Sequence, residues 1–158
     1  MVIKQLSVFV ENKHGRLAEI LDIIAKAECS ILALTIADTT DFGILRVIVQ
    51  DTEKAKKALR DNGLAVSTSD VISVKIPDKA GGLSSVLVLL SQNDISVEYM
   101  YAFISKADNE AQVVLKVNSP DKATELLNSA GFGFWFINIF IIKGHRNFTM
   151  AFYYFVIK

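Results

Sequence analysis

The chain has a single cysteine, Cys29, so it holds no internal disulfide and suits a reducing compartment. Its two histidines, His14 and His145, lie far apart and do not combine with one thiol into a metal site. No cofactor is implied. The formal net charge is zero, which denies the chain a basic field for nucleic acid or anionic lipid. Residues Met1 to Gln5 lack the apolar core of a secretory leader, and a cytoplasmic location is expected. Neither the Gly-x4-Gly-Lys-Ser/Thr nor the Gly-x-Gly-x-x-Gly spacing occurs, which disfavours nucleotide binding. No nucleophile lies near His14 in sequence, and a non-catalytic protein is expected.

What the chain does have is enough apolar material to fold. Of 158 residues, 51% are hydrophobic and 22% charged, a balance that supports a packed core in one domain or two small ones. The stretch Val8-Phe9-Val10-Glu11-Asn12-Lys13-His14-Gly15-Arg16-Leu17-Ala18-Glu19-Ile20 runs from a strand pattern through a polar turn into an amphipathic helix. Sixty-six residues later, Val74-Lys75-Ile76-Pro77-Asp78-Lys79-Ala80-Gly81-Gly82-Leu83-Ser84-Ser85-Val86 does the same.

Val2 to Val10 reads as a strand, and Leu17, Ile20, Leu21 and Ile24 form a helical stripe. Strands are expected over Ser30 to Ala37 and Phe42 to Val49. A helix capped by Asp51 or Thr52 and stopped at Asn62-Gly63 follows, then a short strand over Leu64 to Thr68. The order is βαββαβ, the ferredoxin-like split unit, with two helices on one face of an antiparallel sheet. The second pass has strands over Val71 to Ile76, Ile95 to Ile104 and Ala111 to Val117. Its helices carry Leu83, Val86, Leu87 and Leu90, and, after Ser119-Pro120-Asp121, Ala123, Leu126 and Leu127. The two-residue growth between copies falls in the hairpin around Lys106 to Asn109. The fold class is therefore α+β, as two ferredoxin-like repeats over residues 1–69 and 70–131.

Residues 132–158 differ in kind. They hold ten of the fifteen aromatics and no acid, so residues 1–131 carry a net charge of −3 and the tail +3. Each of its apolar runs falls short of the ~20 residues a membrane helix needs. Joining them would place Lys143 and Arg146 near mid-bilayer, so no membrane association is expected. Phe132 to Ile142 can supply the missing last strand, or the whole tail is an accident of translation or assembly; its composition favours the accident.

The turns are where chemistry is expected. A helix start presents unpaired N–H donors and partial positive charge, which suits a carboxylate. Gly15 and Gly81-Gly82 permit close backbone approach, and Asn12 and Asp78, each three residues before its glycine, can accept from an ammonium group. Together these describe a free α-amino acid. Set against that, Asn and Asp are common turn formers in their own right. RNA binding on the sheet is opposed by the −3 charge and the few aromatics in residues 1–131.

With both turns in view, the chain resembles the ACT-domain family, in particular small proteins made of two ACT domains. The residues that carry this are Glu11 to Ile20, Cys29-Ser30-Ile31-Leu32-Ala33-Leu34 and Asp41 to Arg46 in the first copy. In the second they are Pro77 to Leu83 and Ile95-Ser96-Val97-Glu98-Tyr99-Met100. The resemblance implies a regulatory module that binds a free amino acid where two domains pair, with a homodimer and a partner enzyme of amino-acid metabolism in prospect. It points to Asn12, His14, Gly15, Arg16 and Leu17, and to Asp78, Ala80, Gly81, Gly82 and Leu83. From strand two of a neighbour it adds Ile31, Leu32, Glu98 and Tyr99. Asn12 stands where many members have Asp, and Gly82 where a side chain often sits, so the two sites are not expected to be equivalent. The first repeat is also similar to the start of the acetolactate synthase regulatory subunit, which gives an alternative: a regulatory subunit of such a biosynthetic enzyme.

Overall fold

The computed structural model describes residues 1–38, 41–105 and 110–134. In chain order the elements are β1 (Val2–Glu11), α1 (Arg16–Lys26), β2 (Ile31–Asp38), β3 (Phe42–Val49) and α2 (Thr52–Asp61). They continue with β4 (Val66–Pro77), α3 (Gly82–Ser91), β5 (Val97–Ser105), β6 (Glu110–Val117) and α4 (Pro120–Ser129). Two compact units result: Ile3–Val71, and Ile72 onward together with Met1–Val2.

In the first unit β3 lies between β1 and β2, antiparallel to both, with Val8 opposite Leu45 and Leu34 opposite Val47. The start of β4 lies on the other side of β1, where the Phe9 N–H donates to the Ala65 carbonyl at 3.1 Å. Alternate residues Leu6, Val8 and Val10 of β1 and Leu45, Val47 and Val49 of β3 turn to one face. There they meet Ile20 and Ile24 of α1 and Ala55 and Leu59 of α2, all fully buried. The period of two in the strands and of 3.6 in the helices thus selects one core. Removing a side chain such as Leu59 from water contributes about 1.5–3 kcal/mol.

The second unit repeats the plan. β6 lies between β5 and the second half of β4, with Val74 opposite Val113 and Met100 opposite Leu115. Ile72, Val74, Ile76, Val113, Leu115 and Val117 pack under Val86 and Leu90 of α3 and Ala123 and Leu127 of α4. The repetition reaches backbone detail. Glu28 and Asp94, sixty-six residues apart, both take positive φ (52° and 58°) just past their helices. Both second strands carry a register irregularity, between Ile31 and Ala33 and between Val97 and Tyr99.

Two sequence expectations need amendment. The strands expected over Leu64 to Thr68 and Val71 to Ile76 are one, Val66–Pro77. The polar run Ser67 to Asp70 stays in the strand because a ladder needs only backbone groups, and Lys4 Nζ lies 2.6 Å from the Asp70 carboxylate. β5 starts at Val97 and not at Ile95, which is buried before the strand begins. Beside β4, the Lys75 N–H donates to Gly133 O at 2.8 Å and Val74 bridges Phe134 antiparallel. A last strand would start there. The rest of Phe132 to Ile142, the remaining tail and the hairpin at Lys106 to Asn109 lie outside the described residues. Among the described residues no helix is long and apolar enough to cross a membrane.

Candidate functional site

Each first strand ends in a tight polar turn that runs straight into a helix. After β1, the Lys13 N–H donates to Glu11 O (2.8 Å), Arg16 N–H to Lys13 O (3.2 Å) and Glu19 N–H to Gly15 O (3.0 Å). After β4, Lys79 N–H donates to Pro77 O (2.9 Å), Gly82 N–H to Lys79 O (3.0 Å) and Ser85 N–H to Gly81 O (3.0 Å). Residue for residue, it is one conformation built twice. Its pivot is the residue before the helix, Gly15 at φ 80° or Gly81 at φ 85°, in the left-handed region that glycine enters at little cost.

Neither glycine brings a capping side chain. The next N–H groups, of Leu17 and Ala18 and of Leu83 and Ser84, have no acceptor among the described residues. Two open donors and the positive end of a helix dipole therefore sit at each turn, an arrangement suited to a carboxylate or phosphate.

The surroundings of the two turns differ. In the first, Asn12, Lys13, His14 and Gly15 are exposed, and Arg16 and Leu17 are half-buried. Arg16 Nη1 donates to Glu19 Oε2 at 2.7 Å, while its buried Nε has no hydrogen-bond partner. Lys13 Nζ donates to Glu11 at 2.9 Å, and that hydrogen bond holds the Glu11 carboxyl below its usual range. In the second turn Asp78, Ala80 and Gly81 are exposed, Leu83 is half-buried, and Lys79 is the sole cation. Gly82, which takes the place of Arg16, is buried, and a Cβ there would overlap the carbonyl oxygen of Pro77. Its lack of a side chain is explained by the chain's own backbone. The first turn is thus the more cationic of the two.

The strand-two candidates lie elsewhere. Gly43 pairs with both Val10 and Asp38 at the turn end of the first sheet, whereas Ile31 pairs with Val49 at the far end. Six residues of strand separate them, roughly 20 Å. Glu98 and Tyr99 likewise sit by Val117 and Lys116, away from Pro77 and Glu110. Within a repeat the structure does not bring Ile31, Leu32, Glu98 or Tyr99 to the turn of that repeat. Leu32 and Glu98 are the extra residues of the two bulges, a device that re-aims side chains.

Sequence reasoning missed two surface features. Phe9 and Phe42 are 47% and 45% exposed with ring centroids 4.9 Å apart, near the turn end of the first sheet. The other is the outer side of α3, a shallow concavity of about 500 Å³ lined by Leu83, Ser84, Leu87, Val88, Ser91 and Gln92. The signal for it was there to read: α3 contains no charged residue. Among the described residues, no group of three or more His, Cys, Asp or Glu side chains could hold a metal ion.

A family model described as an ACT domain pair matches residues 1–136. A crystal structure of a protein from Bacteroides thetaiotaomicron is similar at 45% identity, covering 84% of this chain and 90% of that one, with a TM-score of 0.79. The ligand-free regulatory subunit of aspartate kinase from Thermus thermophilus shares the fold at 11% identity and TM-score 0.61, covering 82% and 95%. The corresponding subunit from Thermus flavus does so at 12% identity and TM-score 0.59, covering 83% and 95%. No curated protein matches.

Proposed function

The chain belongs to the family of paired ACT domains, and from that premise we propose that it is a non-catalytic regulatory protein that binds a free amino acid. The observation that carries this is the duplicated turn, which leaves the amides of Leu17 and Ala18 and of Leu83 and Ser84 open at two helix starts. The amino acid's carboxylate takes those amides. Its ammonium group is met by the side-chain oxygen of Asn12 or the carboxylate of Asp78. Leu17 or Leu83 lies against its side chain. Ile31, Leu32, Glu98 and Tyr99 join a site only from a neighbouring domain, since each stands at the far end of its own sheet from the turn.

The mechanism is linkage. An amino acid that prefers one arrangement of paired domains shifts the population toward it, and whatever reads that arrangement responds. We place the protein in the cytoplasm as a homodimer. A separate regulatory subunit of an amino-acid biosynthetic enzyme is the second reading. It is favoured by fold neighbours that are themselves regulatory subunits and are covered over 95% of their length.

Thermal unfolding of the full chain against each of the twenty amino acids tests the proposal. A ligand at a hundred times its Kd adds about 2.7 kcal/mol of stability. One amino acid, or a small set of related ones, is expected to raise the midpoint. A flat response to all twenty at millimolar concentration removes the ligand and leaves only the scaffold.

A further inference from the structure

The two repeats close their second helices in the same way. After α2 the Gly63 N–H donates to Arg60 O (2.9 Å) and the Leu64 N–H to Leu59 O (3.1 Å). After α4 the Gly131 N–H donates to Asn128 O (3.0 Å) and the Phe132 N–H to Leu127 O (3.0 Å). Both are Schellman caps: a glycine at φ 79° or 83°, then an apolar residue, Leu64 or Phe132, packed against the core. They differ at the residue before the glycine. It is Ala130 in the second repeat and Asn62 in the first, where Nδ2 donates to Ala58 O at 2.9 Å. Of the chain's eight asparagines only Asn62 precedes a glycine, and Asn62 and Gly63 are both exposed. The alanine of the second repeat shows that such a cap forms without the side-chain amide.

We infer that Asn62 is a site of spontaneous deamidation, held back by the cap and released when the last turn of α2 opens. The chemistry needs only water. The Gly63 nitrogen bonds to Asn62 Cγ, the Cγ–Nδ2 bond breaks, and Nδ2 leaves as ammonia with the proton that Gly63 gives up. Water then opens the resulting five-membered imide at one carbonyl or the other. The product is aspartate, or its isomer with the main chain running through Cγ. Glycine in the following position favours ring closure, because no Cβ obstructs the approach of its nitrogen. In the closed cap both reacting nitrogens are engaged, that of Gly63 with Arg60 O and Nδ2 of Asn62 with Ala58 O. Reaction therefore requires a local opening that breaks both hydrogen bonds, and helix ends open more readily than a core. Neither product fits back into the cap. The isomer adds one carbon to the main chain before Gly63, so the Gly63 and Leu64 N–H groups lose register with Arg60 and Leu59. Aspartate removes the donor to Ala58 O and sets a second carboxylate beside Asp61 at the negative end of the helix dipole. The reaction thus weakens the cap that delays it.

The test is peptide mass mapping of the full chain during incubation at mildly alkaline pH, with the folded protein beside the same chain in guanidinium chloride. A gain of one mass unit is expected at Asn62 ahead of every other asparagine, with both aspartate and its isomer in the product. The folded protein is expected to convert about tenfold or more slowly than the unfolded chain. Asn62→Ala, which copies the cap of the second repeat, should abolish the gain and keep the fold. Asn62→Asp should have a lower thermal midpoint than Asn62→Ala; a midpoint at or above it removes the weakening. Equal rates in the folded and unfolded chains mean that the cap withholds nothing, which overturns the inference. So does conversion of another asparagine first, or a folded protein unchanged at Asn62 long after the unfolded chain is fully converted.

Discussion

The carbonyl oxygen of Pro77 stands where a Cβ on Gly82 would have to be. The strand's last residue and the helix's first are in backbone contact, so glycine at position 82 is a packing requirement. Gly82→Ala is expected to lower stability by about 1–3 kcal/mol through overpacking. Gly15→Ala acts differently: nothing lies within 4 Å of its would-be Cβ, but φ is 80°, and a left-handed alanine costs about 1–2 kcal/mol. Urea unfolding separates the two mechanisms. Gly15→Asn should recover much of the loss, because asparagine visits that conformation, whereas Gly82→Asn should be worse than Gly82→Ala. Equal behaviour of the two asparagine variants would sink the distinction.

Most of the fold was legible because the chain states it twice. Apolar residues at Ile20 and Ile24 recur at Val86 and Leu90, and those at Ala55 and Leu59 recur at Ala123 and Leu127, all buried. The junction at Ser69 and Asp70 was not legible, because two polar residues between the strands expected over Leu64 to Thr68 and Val71 to Ile76 read as a break, while their backbone continues one strand. The turns of the candidate site could be located, since a glycine before a helical stripe is a local signal. Which strand-two residues share an end with them could not. Strand direction decides that: β3 is antiparallel to both β1 and β2, so β1 and β2 run parallel and the start of β2 falls at the end of the sheet opposite the turn, a long-range relation that the local turn motif does not carry.

At the start of α2 the sequence offered Asp51 or Thr52 as the cap, and Asp51 fills the role: its Oδ1 accepts from the Lys54 N–H at 3.0 Å. Asp51→Ala is expected to cost about 1 kcal/mol, with Asp51→Asn and Asp51→Ser close to wild type in urea midpoint. Thr52→Ala should change little. A larger loss at Thr52 than at Asp51 would reverse the assignment.

Cys29 is buried, with its thiol directed at the carbonyl oxygens of Ala27 (3.4 Å) and Asp51 (3.7 Å). Burial pushes its pKa above 9.0, chiefly by desolvating the thiolate, and nearby Lys54 opposes this only in part. The folded state therefore holds the thiol proton more tightly than the unfolded one. The resulting stability is complete below the unfolded pKa and is lost as pH rises through the folded value. Wild type should lose stability above pH 9.0 faster than Cys29→Ala does, and the native thiol should resist alkylation until the chain unfolds. Prompt labelling of the native protein near neutral pH would contradict the burial.

Arg16 is the residue that makes the first turn unlike the second. It is the first residue of α1, directly before Leu17 and Ala18 with their open amides, and its buried Nε has no hydrogen-bond partner. A carboxylate arriving at those amides meets a cation already held on one side by Glu19 at 2.7 Å. Loss of one charge-assisted hydrogen bond is worth about 1.5–3 kcal/mol, so Arg16→Ala should weaken amino-acid binding roughly ten- to a hundredfold by calorimetry. Arg16→Lys should fall between, keeping the charge without the planar fork. Stability should hardly move, because a partly exposed i,i+3 pair contributes only about 0.2–0.5 kcal/mol. Glu19→Gln releases the guanidinium and should bind at least as tightly as wild type. If Arg16→Ala binds like wild type while Lys79→Ala does not, the second turn holds the ligand and the cationic character of the first serves only the helix.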